Sequence, residues 1–219
     1  MKKLKALLFD FDGTLVNSEK FHFDMLNEFL QPYQGSVSWE TYLNTFMGIP
    51  FSKNAPTLVE RFDLPMSPSE LVEQHTKQIE EASEVHPLIP MPGVEDTLSQ
   101  LVKVRKAIVT GSGRESVTKS VNKLGWSDQF EFWVTYDDVK KSKPDPESYL
   151  RAIQKLGVSK EDVVVFEDTE NGTKSAKAAG LTCFAVQQNT GYHHRLSGAD
   201  QIFQSLRESI DYLFSKYMI

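Results

Sequence analysis

The chain alternates between short, continuous apolar runs and stretches in which apolar residues recur at helical spacing. The continuous runs predict strands buried on both faces, at residues 4–9, 106–110, 130–135, 163–166 and 182–186. Helical spacing predicts helices between and after the later runs, at residues 94–104, 115–124, 146–156, 172–179 and 202–217. Strands and helices that alternate through short loops predict an α/β fold, a doubly wound parallel sheet with right-handed crossovers.

The segment after the first predicted strand has a different pattern. Helical spacing, bounded by Ser, Pro and Gly, predicts helices alone, at residues 18–30, 38–46, 54–62 and 68–85. A helical block inserted here is typical of a separate small all-helical domain rather than of a crossover. Three prolines stiffen the return path at 86–93, which we interpret as a hinge. We therefore expect a core domain at 1–16 and 88–219 and a helical cap domain at 17–87.

Composition limits the classes of partner. The chain has 219 residues with 40% hydrophobic and 25% charged residues, which is typical of an ordinary globular protein with a substantial core. Its formal net charge of -6 argues against non-specific binding to nucleic acid or to an anionic membrane. Cys183 is the single cysteine and lies in an apolar run, so we expect a small buried residue and a reducing compartment. The N-terminal apolar segment is too short for a signal peptide or a membrane span, so we expect a cytoplasmic protein.

The first predicted strand ends in two aspartates. Asp10 and Asp12 are two residues apart, so on a strand they would leave from the same face, and Gly13 then permits a sharp turn. Open α/β sheets bind their ligands at this carboxyl edge. Two carboxylates this close repel each other unless a cation or a shared proton lies between them. An ordinary turn capped by aspartate is the simpler alternative for an isolated pair.

Polar residues also follow the later strands. Thr110 follows the second strand, Lys143 lies in the loop after the third, and Glu167 and Asp168 follow the fourth. Each has a simpler explanation when taken alone. Thr110 could cap the next helix, and Lys143 could be a solvated surface lysine.

The DxDGT motif directly after a buried strand, followed by these three motifs in this order, resembles the haloacid dehalogenase superfamily over residues 4–190. The resemblance implies a Rossmann-like core with a helical cap, and Mg²⁺ as the cofactor. In it, Asp10, the backbone carbonyl of Asp12 and Asp168 hold the metal, and Glu167 does so directly or through water. Such oxygen ligands suit Mg²⁺ better than Zn²⁺.

The resemblance also implies catalytic roles. Asp10 would be the nucleophile that forms an aspartyl phosphate, and Asp12 would be the general acid and base. Lys143 would compensate charge, while Thr110 and the loop residues Gly111 and Ser112 would contact the phosphoryl oxygens. The superfamily's dehalogenases lack an acid at the position of Asp12, so its presence favours phosphate over halide. Phosphonate hydrolysis is also disfavoured, because no buried cap lysine is evident.

Three cap residues bear on the substrate. His22 lies twelve residues after Asp10, where the sugar-phosphate branch has a histidine, although a half-buried polar residue is an equal alternative. Hexose phosphomutases of the branch that this chain resembles have an arginine three residues after a cap glycine. Counting from Gly48 gives Phe51, and Lys53 is the nearest cation. A flexible ammonium replaces a guanidinium poorly where a distal phosphate must be gripped, so hydrolysis is favoured over the mutase reaction.

We therefore expect a Mg²⁺-dependent hydrolase of a small, sugar-like phosphate monoester, with a cap that excludes polymers. A hexose phosphomutase and a non-catalytic phosphate-binding protein are the alternatives. The GSGRES segment at 111–116 fails as a dinucleotide loop, because Ser116 replaces the third glycine. His193 and His194 are adjacent, so we expect loop contacts or exposure rather than a shared metal. A monomer is compatible with the sequence.

Overall fold

The computed structural model describes residues 2–47, 49, 51–85 and 88–218, and the chain divides into two compact units. The core unit comprises Met1–Asn17 and Ile89–Ile219, and the helical unit comprises Ser18–Leu88. These bounds lie one residue from the predicted domain limits. The role of the helical unit as a cap stays a prediction, and the predicted hinge begins at His86 and Pro87, outside the described residues.

Among the described residues, the strands are β1 (Lys2–Lys3), β2 (Ala6–Phe9), β3 (Arg105–Val109), β4 (Phe132–Val134), β5 (Val163–Glu167), β6 (Thr182–Val186), β7 (Gln201–Phe203) and β8 (Tyr217–Met218). Strands β2 to β7 form one parallel sheet in the order β4-β3-β2-β5-β6-β7, and β1 pairs separately with β8. The central place of β2 agrees with its continuous apolar run, since both of its faces are covered.

The helices of the helical unit are α1 (Ser18–Leu30), α2 (Trp39–Thr45), α3 (Phe51–Arg61) and α4 (Pro68–Val85). Those of the core unit are α5 (Val94–Gln100), α6 (Arg114–Lys123), α7 (Glu147–Leu156), α8 (Glu170–Ala178) and α9 (Leu206–Lys216). The predicted α/β class is confirmed: helices alternate with the parallel strands of the core unit. None of the helices in the described part of the chain is both long enough and apolar enough to cross a membrane.

The sheet of the core unit is held by aliphatic and aromatic side chains that exclude water. Phe9 of β2 stacks on Phe166 of β5 with ring centroids 4.8 Å apart, and both side chains are fully buried. Full burial of such a side chain contributes about 1.5–3 kcal/mol, so this pair stabilises the contact between the ends of β2 and β5. Cys183 is buried, as predicted, in a cluster that also contains Leu8 and Val165, and burial raises the pKa of its thiol.

The helical unit has its own core. The buried residues Leu26, Leu30, Leu58 and Leu71 come from α1, α3 and α4 and form one apolar cluster. A polar side chain, His75 of α4, is buried beside it. His75 stacks on Phe51 with ring centroids 3.9 Å apart.

The predicted final helix at 202–217 is wrong in its first part. Residues 201–203 form β7, which extends the sheet beyond β6, and α9 begins only at Leu206. Ser205 caps this helix: its hydroxyl accepts a hydrogen bond from the Glu208 N–H at 3.2 Å, and the Glu208 carboxylate accepts one from the Gln204 N–H at 3.0 Å. This reciprocal cap fixes the start of the helix and leaves the preceding residues extended.

Several predicted bounds were also wrong. β2 begins at Ala6 rather than at residue 4, and β4 covers only Phe132–Val134. α5 ends at Gln100 rather than at residue 104, and the carbonyls of Leu101 and Val104 in the following turn accept hydrogen bonds from the buried ammonium of Lys106. α3 begins at Phe51 rather than at residue 54, since Asn54 is buried within it and donates to the carbonyl of Phe46.

Candidate active site

Three neighbouring strands place their following residues at one edge of the sheet. β2 lies between β3 and β5, and Phe9 is in register with Ile108 and with Phe166. Asp10 continues this pairing, because its N–H donates to the carbonyl of Phe166 at 2.9 Å. The ends of β2, β3 and β5 therefore bring the first, second and fourth sequence motifs together.

Lys143 joins the two acidic strand ends. Its ammonium donates to Asp10 Oδ1 at 2.5 Å, to Glu167 Oε1 at 2.6 Å and to the carbonyl of Val109 at 2.8 Å. Only 11% of its side chain is exposed, so Lys143 is not a solvated surface lysine. A cation shared by two carboxylates is the arrangement that a desolvated acidic site requires.

The electrostatics at Asp10 and Lys143 are those of a buried ion pair. Burial raises the pKa of Asp10 well above its ordinary value, the charges of Glu167 and Asp12 raise it further, and Lys143 opposes both effects. Burial by itself lowers the pKa of Lys143, but the charges of Asp10 and Glu167 outweigh it and raise that pKa above the ordinary value. Lys143 is therefore a permanent cation next to Asp10.

Asp12 is held by the loop that follows β3. Its Oδ2 accepts hydrogen bonds from the hydroxyl of Ser112 at 2.5 Å and from the hydroxyl of Thr110 at 3.3 Å. The Ser112 N–H in turn donates to the Thr110 hydroxyl at 3.0 Å. The two hydroxyls that the sequence assigned to phosphoryl oxygens thus orient Asp12 here, and their contact with substrate stays a prediction. A Cβ at Gly111 would meet no atom within 4 Å, so the backbone of this loop is open.

Three carboxylates at the sheet edge could hold a cation. Asp10, Glu167 and Asp168 each offer one oxygen, and the three oxygens lie within 4.8 Å of one another. Gly13 has a φ of 81°, and a Cβ there would lie 2.1 Å from Asp168 Oδ2, so only glycine leaves room for this carboxylate. The Thr14 hydroxyl supports Asp168 from 3.5 Å. A compact set of oxygen donors fits a hard divalent cation such as Mg²⁺.

Two residues that surround Glu167 were not predicted from the sequence. The Tyr149 hydroxyl donates to Glu167 Oε1 at 2.6 Å, and a Cβ at Gly172 would lie 2.0 Å from the Glu167 carboxylate. Tyr149 lies six residues after Lys143 in the same motif, and it belongs to the buried face of α7 with Ala152 and Leu156. Gly172 lies inside a helix, where no local pattern requires glycine.

Two candidate substrate residues, His22 and Lys53, belong to the helical unit. His22 and Lys53 are exposed in the unit to which they belong, so His22 is not half-buried there. Phe51 stacks on His75. Gly48, from which the mutase arginine position was counted, lies outside the described residues.

His193 and His194 make loop contacts rather than a metal pair. His193 Nε2 lies 2.7 Å from the carbonyl of Gln187, and His194 Nδ1 lies 2.8 Å from the carbonyl of Gly191. Each ring thus contacts a different backbone carbonyl. The two side chains stabilise the turn after β6.

Comparison with known proteins agrees with this geometry. Residues 7–186 match the family model described as haloacid dehalogenase-like hydrolase. A phosphorylated carbohydrates phosphatase from Thermotoga maritima is 31% identical over 185 residues, which cover 81% of this chain and 82% of that protein. Hexitol phosphatase A from Escherichia coli is 31% identical over 209 residues, which cover 94% of this chain and 93% of that protein. A crystal structure of β-phosphoglucomutase from Clostridium difficile has a TM-score of 0.70 at 18% identity and covers 97% of this chain and 96% of that one, which shows a shared fold alone.

Proposed function

The chain belongs to the haloacid dehalogenase-like hydrolase family, and from that premise we propose that it is a Mg²⁺-dependent phosphatase of small, sugar-like phosphate monoesters. The observation that carries the proposal is Lys143, whose buried ammonium lies 2.5 Å from Asp10 and 2.6 Å from Glu167. This cation and these carboxylates match what a phosphoryl-transfer site needs.

Asp10 is the nucleophile in this proposal. An attacking carboxylate meets the negative phosphoryl group with a repulsion of about 4 kcal/mol per charge pair at 4 Å in a partly screened site. Lys143 already compensates the carboxylate of Asp10 and can also face a phosphoryl oxygen. Attack by Asp10 breaks the bond between phosphorus and the leaving oxygen, and gives an aspartyl phosphate that divides one displacement into two easier ones.

Asp12 carries the proton in both steps. It first protonates the leaving alkoxide, and then takes a proton from the water that attacks the aspartyl phosphate. The hydroxyls of Ser112 and Thr110 support this role, because both contact Asp12 Oδ2 and thereby fix the direction of the carboxyl group. One positioned group serves both steps.

Asp10, Asp168 and Glu167, with the backbone carbonyl of Asp12, would hold Mg²⁺, which would supply further positive charge beside the phosphoryl oxygens. Gly13 supports the proposal, since its missing side chain leaves the space in which Asp168 lies. Thr14 then limits the rotation of Asp168 by a hydrogen bond to Oδ1.

The substrate class rests on relatives and on charge. The two relatives described above carry names that refer to phosphorylated carbohydrates and to hexitols, so we assign a small phosphorylated sugar or polyol to this chain. The net charge of -6 disfavours nucleic acid as a substrate. The catalytic positions are filled, which disfavours a purely phosphate-binding protein.

Phosphomutase activity is the closest alternative, since a β-phosphoglucomutase shares the fold. Phe51 occupies the position where that reaction needs an arginine, and its ring packs on His75 instead of presenting a cation. The deciding assay uses β-glucose 1-phosphate with a trace of the 1,6-bisphosphate. We expect free phosphate to accumulate, and faster formation of glucose 6-phosphate would assign the mutase reaction.

The proposed function is tested by Asp10→Asn with p-nitrophenyl phosphate as substrate. We expect the variant to keep its fold and to lose hydrolysis, because an amide is not a nucleophile here. Asp96→Asn is the matched control, since Asp96 is an exposed aspartate in the first turn of α5. Undiminished hydrolysis by Asp10→Asn would remove the nucleophile and with it the proposed mechanism.

A further inference from the structure

Glu167 is enclosed more completely than the other two acidic residues of the candidate metal site. Its exposure is 0%, whereas Asp10 and Asp168 are 6% and 7% exposed. On one side of the Glu167 carboxylate lies the backbone of α8 at Gly172, where a Cβ would lie 2.0 Å from the carboxylate atoms. A carboxylate buried in this way needs donors in fixed directions to keep one orientation.

The two oxygens of Glu167 have unequal partners. Oε1 accepts two short hydrogen bonds, from Lys143 Nζ at 2.6 Å and from the Tyr149 hydroxyl at 2.6 Å. Oε2 has longer contacts, with the N–H of Asp168 at 3.3 Å and the hydroxyl of Thr169 at 3.4 Å. Oε2 is therefore the oxygen with more remaining capacity to bind a cation.

Tyr149 is rigid enough to set this orientation. It projects from α7 into the core of the sheet and is 0% exposed, packed in the cluster that contains Ala152, Val165 and Cys183. Lys143 Nζ lies 5.1 Å from the centroid of its ring. Tyr149 thus contacts both the carboxylate and the cation that this carboxylate shares with Asp10.

We propose that Tyr149 is a positioning residue, which fixes Oε1 of Glu167 so that Oε2 stays available to a cation and Lys143 stays shared with Asp10. The inference rests on the proposed function, because it acts on the same metal site. Without the hydroxyl, Lys143 is the only short donor to Oε1 among the described contacts of Glu167. Lys143 would then move towards Glu167 and away from Asp10, and the carboxylate would turn.

The test is Tyr149→Phe, which keeps the buried ring and removes only the hydroxyl. Mn²⁺ serves as the probe, because it accepts the same oxygen ligands as Mg²⁺ and its free form is measured by electron paramagnetic resonance. Residues that orient metal ligands typically alter metal affinity by about 10–100-fold when they are replaced. We expect Tyr149→Phe to weaken Mn²⁺ binding at least about tenfold, and to raise the Mg²⁺ concentration that half-activates hydrolysis by a similar factor.

Tyr42→Phe is the matched control. Tyr42 belongs to the helical unit, and its hydroxyl donates to a glutamate in the same way, to Glu19 Oε2 at 2.7 Å. Both replacements remove one hydrogen bond between a tyrosine hydroxyl and a carboxylate. A purely structural role would lower the thermal stability of both variants and leave Mn²⁺ affinity unchanged in both.

A double-mutant cycle with Glu167→Gln distinguishes action through Glu167 from a separate effect. If Tyr149 acts through Glu167, Tyr149→Phe changes Mn²⁺ affinity little in the Glu167→Gln background. Equal, additive losses in the two backgrounds would contradict the inference, as would a Tyr149→Phe variant that does not fold.

The outcomes also separate this inference from the proposed function. A wild-type protein that hydrolyses p-nitrophenyl phosphate and binds Mn²⁺ no better than Tyr149→Phe would overturn the inference and leave the function standing. A wild-type protein that binds no Mn²⁺ and hydrolyses no phosphate ester would overturn both.

Discussion

Replacing Gly172 by alanine sets two physical effects against each other. Gly172 lies within α8, where alanine normally stabilises a helix by about 1 kcal/mol relative to glycine. The added Cβ, however, would lie 2.0 Å from three atoms of the Glu167 side chain, far inside any normal contact distance. The helix cannot yield easily, because Thr169 caps it by accepting a hydrogen bond from the N–H of Gly172 itself. The carboxylate of Glu167 must therefore move.

The size of the effect follows from the contacts that this movement breaks. Glu167 Oε1 accepts two short hydrogen bonds, from Lys143 and from Tyr149. A hydrogen bond to a charged group contributes about 1.5–3 kcal/mol, so losing both costs about 3–6 kcal/mol. Subtracting the gain of about 1 kcal/mol in helix propensity leaves an expected loss in the free energy of unfolding of about 2–5 kcal/mol.

The measurement is urea-induced unfolding of Gly172→Ala beside Gly198→Ala. A Cβ at Gly198 would meet Thr173 at an ordinary 3.8 Å, so this control makes the same chemical change without a clash. We expect the control to remain near the wild-type stability, and Gly172→Ala to lose both stability and hydrolysis of p-nitrophenyl phosphate. A Gly172→Ala protein that is as stable and as active as the wild type would refute the tight placement of Glu167 against α8.

Further predictions concern pH, charge and metal. Burial, followed by the charge of His22, lowers the pKa of His75 to about 4, below an ordinary value of 6.5. As pH falls, His75 therefore takes up a proton in the unfolded chain before it does so in the folded protein. The free energy of unfolding that depends on neutral His75 is complete above pH 6.5 and is lost between pH 6.5 and 4; at about 1.4 kcal/mol per pKa unit, this loss amounts to about 3 kcal/mol. Urea unfolding at pH 7.5 and 4.5 should show a smaller pH dependence in His75→Leu, and equal dependence in both proteins would contradict it. Lys143→Met should lower kcat at least about 100-fold, because it removes the cation that we propose faces the phosphoryl group, while Lys141→Met, at an exposed lysine of the same loop, should not. Chelation should stop hydrolysis, Mg²⁺ should restore it, and Ca²⁺ should bind with little turnover because its coordination is looser; full activity in excess chelator would exclude a metal.

The parts of the fold that the sequence predicted are those set by local pattern. The apolar runs that became β2, β3 and β5 are long enough to identify alone, and parallel pairing then brings their ends to one edge. The positions of three site residues could therefore be predicted from the ends of these strands: Asp10, Thr110 and Glu167. Lys143 could be assigned only through the resemblance, because the loop that carries it has no regular pattern of its own.

The parts that the sequence did not predict depend on long-range contacts or on competition between local signals. β7 has three residues, and its apolar pair at Ile202 and Phe203 fits a helical face as well as a strand. The capping pair Ser205 and Glu208 was a local signal that could have separated β7 from α9. The role of Tyr149 could not be predicted, because it depends on the contact of its hydroxyl with Glu167 across the core, and hydrophobic periodicity carries no information about such a contact.

Backbone hydrogen bonds join the two segments of the core unit between which the helical unit is inserted. The Asn17 N–H donates to the carbonyl of Ile89 at 2.8 Å, and the Met91 N–H donates to the carbonyl of Leu15 at 2.9 Å. Val16 and Pro90 form an antiparallel bridge between these two hydrogen bonds. These backbone contacts lie entirely within the core unit, and they hold together the two points at which the helical insertion begins and ends.

Because of these contacts, the core unit tolerates a change in the length of the helical insertion. Its two ends are fixed side by side, so the entropy of closing the chain across the insertion grows only with the logarithm of its length. Trimming the insertion to a short turn would release roughly 2–3 kcal/mol of that closure cost. The helical insertion could therefore be lengthened, shortened or replaced while the strands of the core unit keep their register.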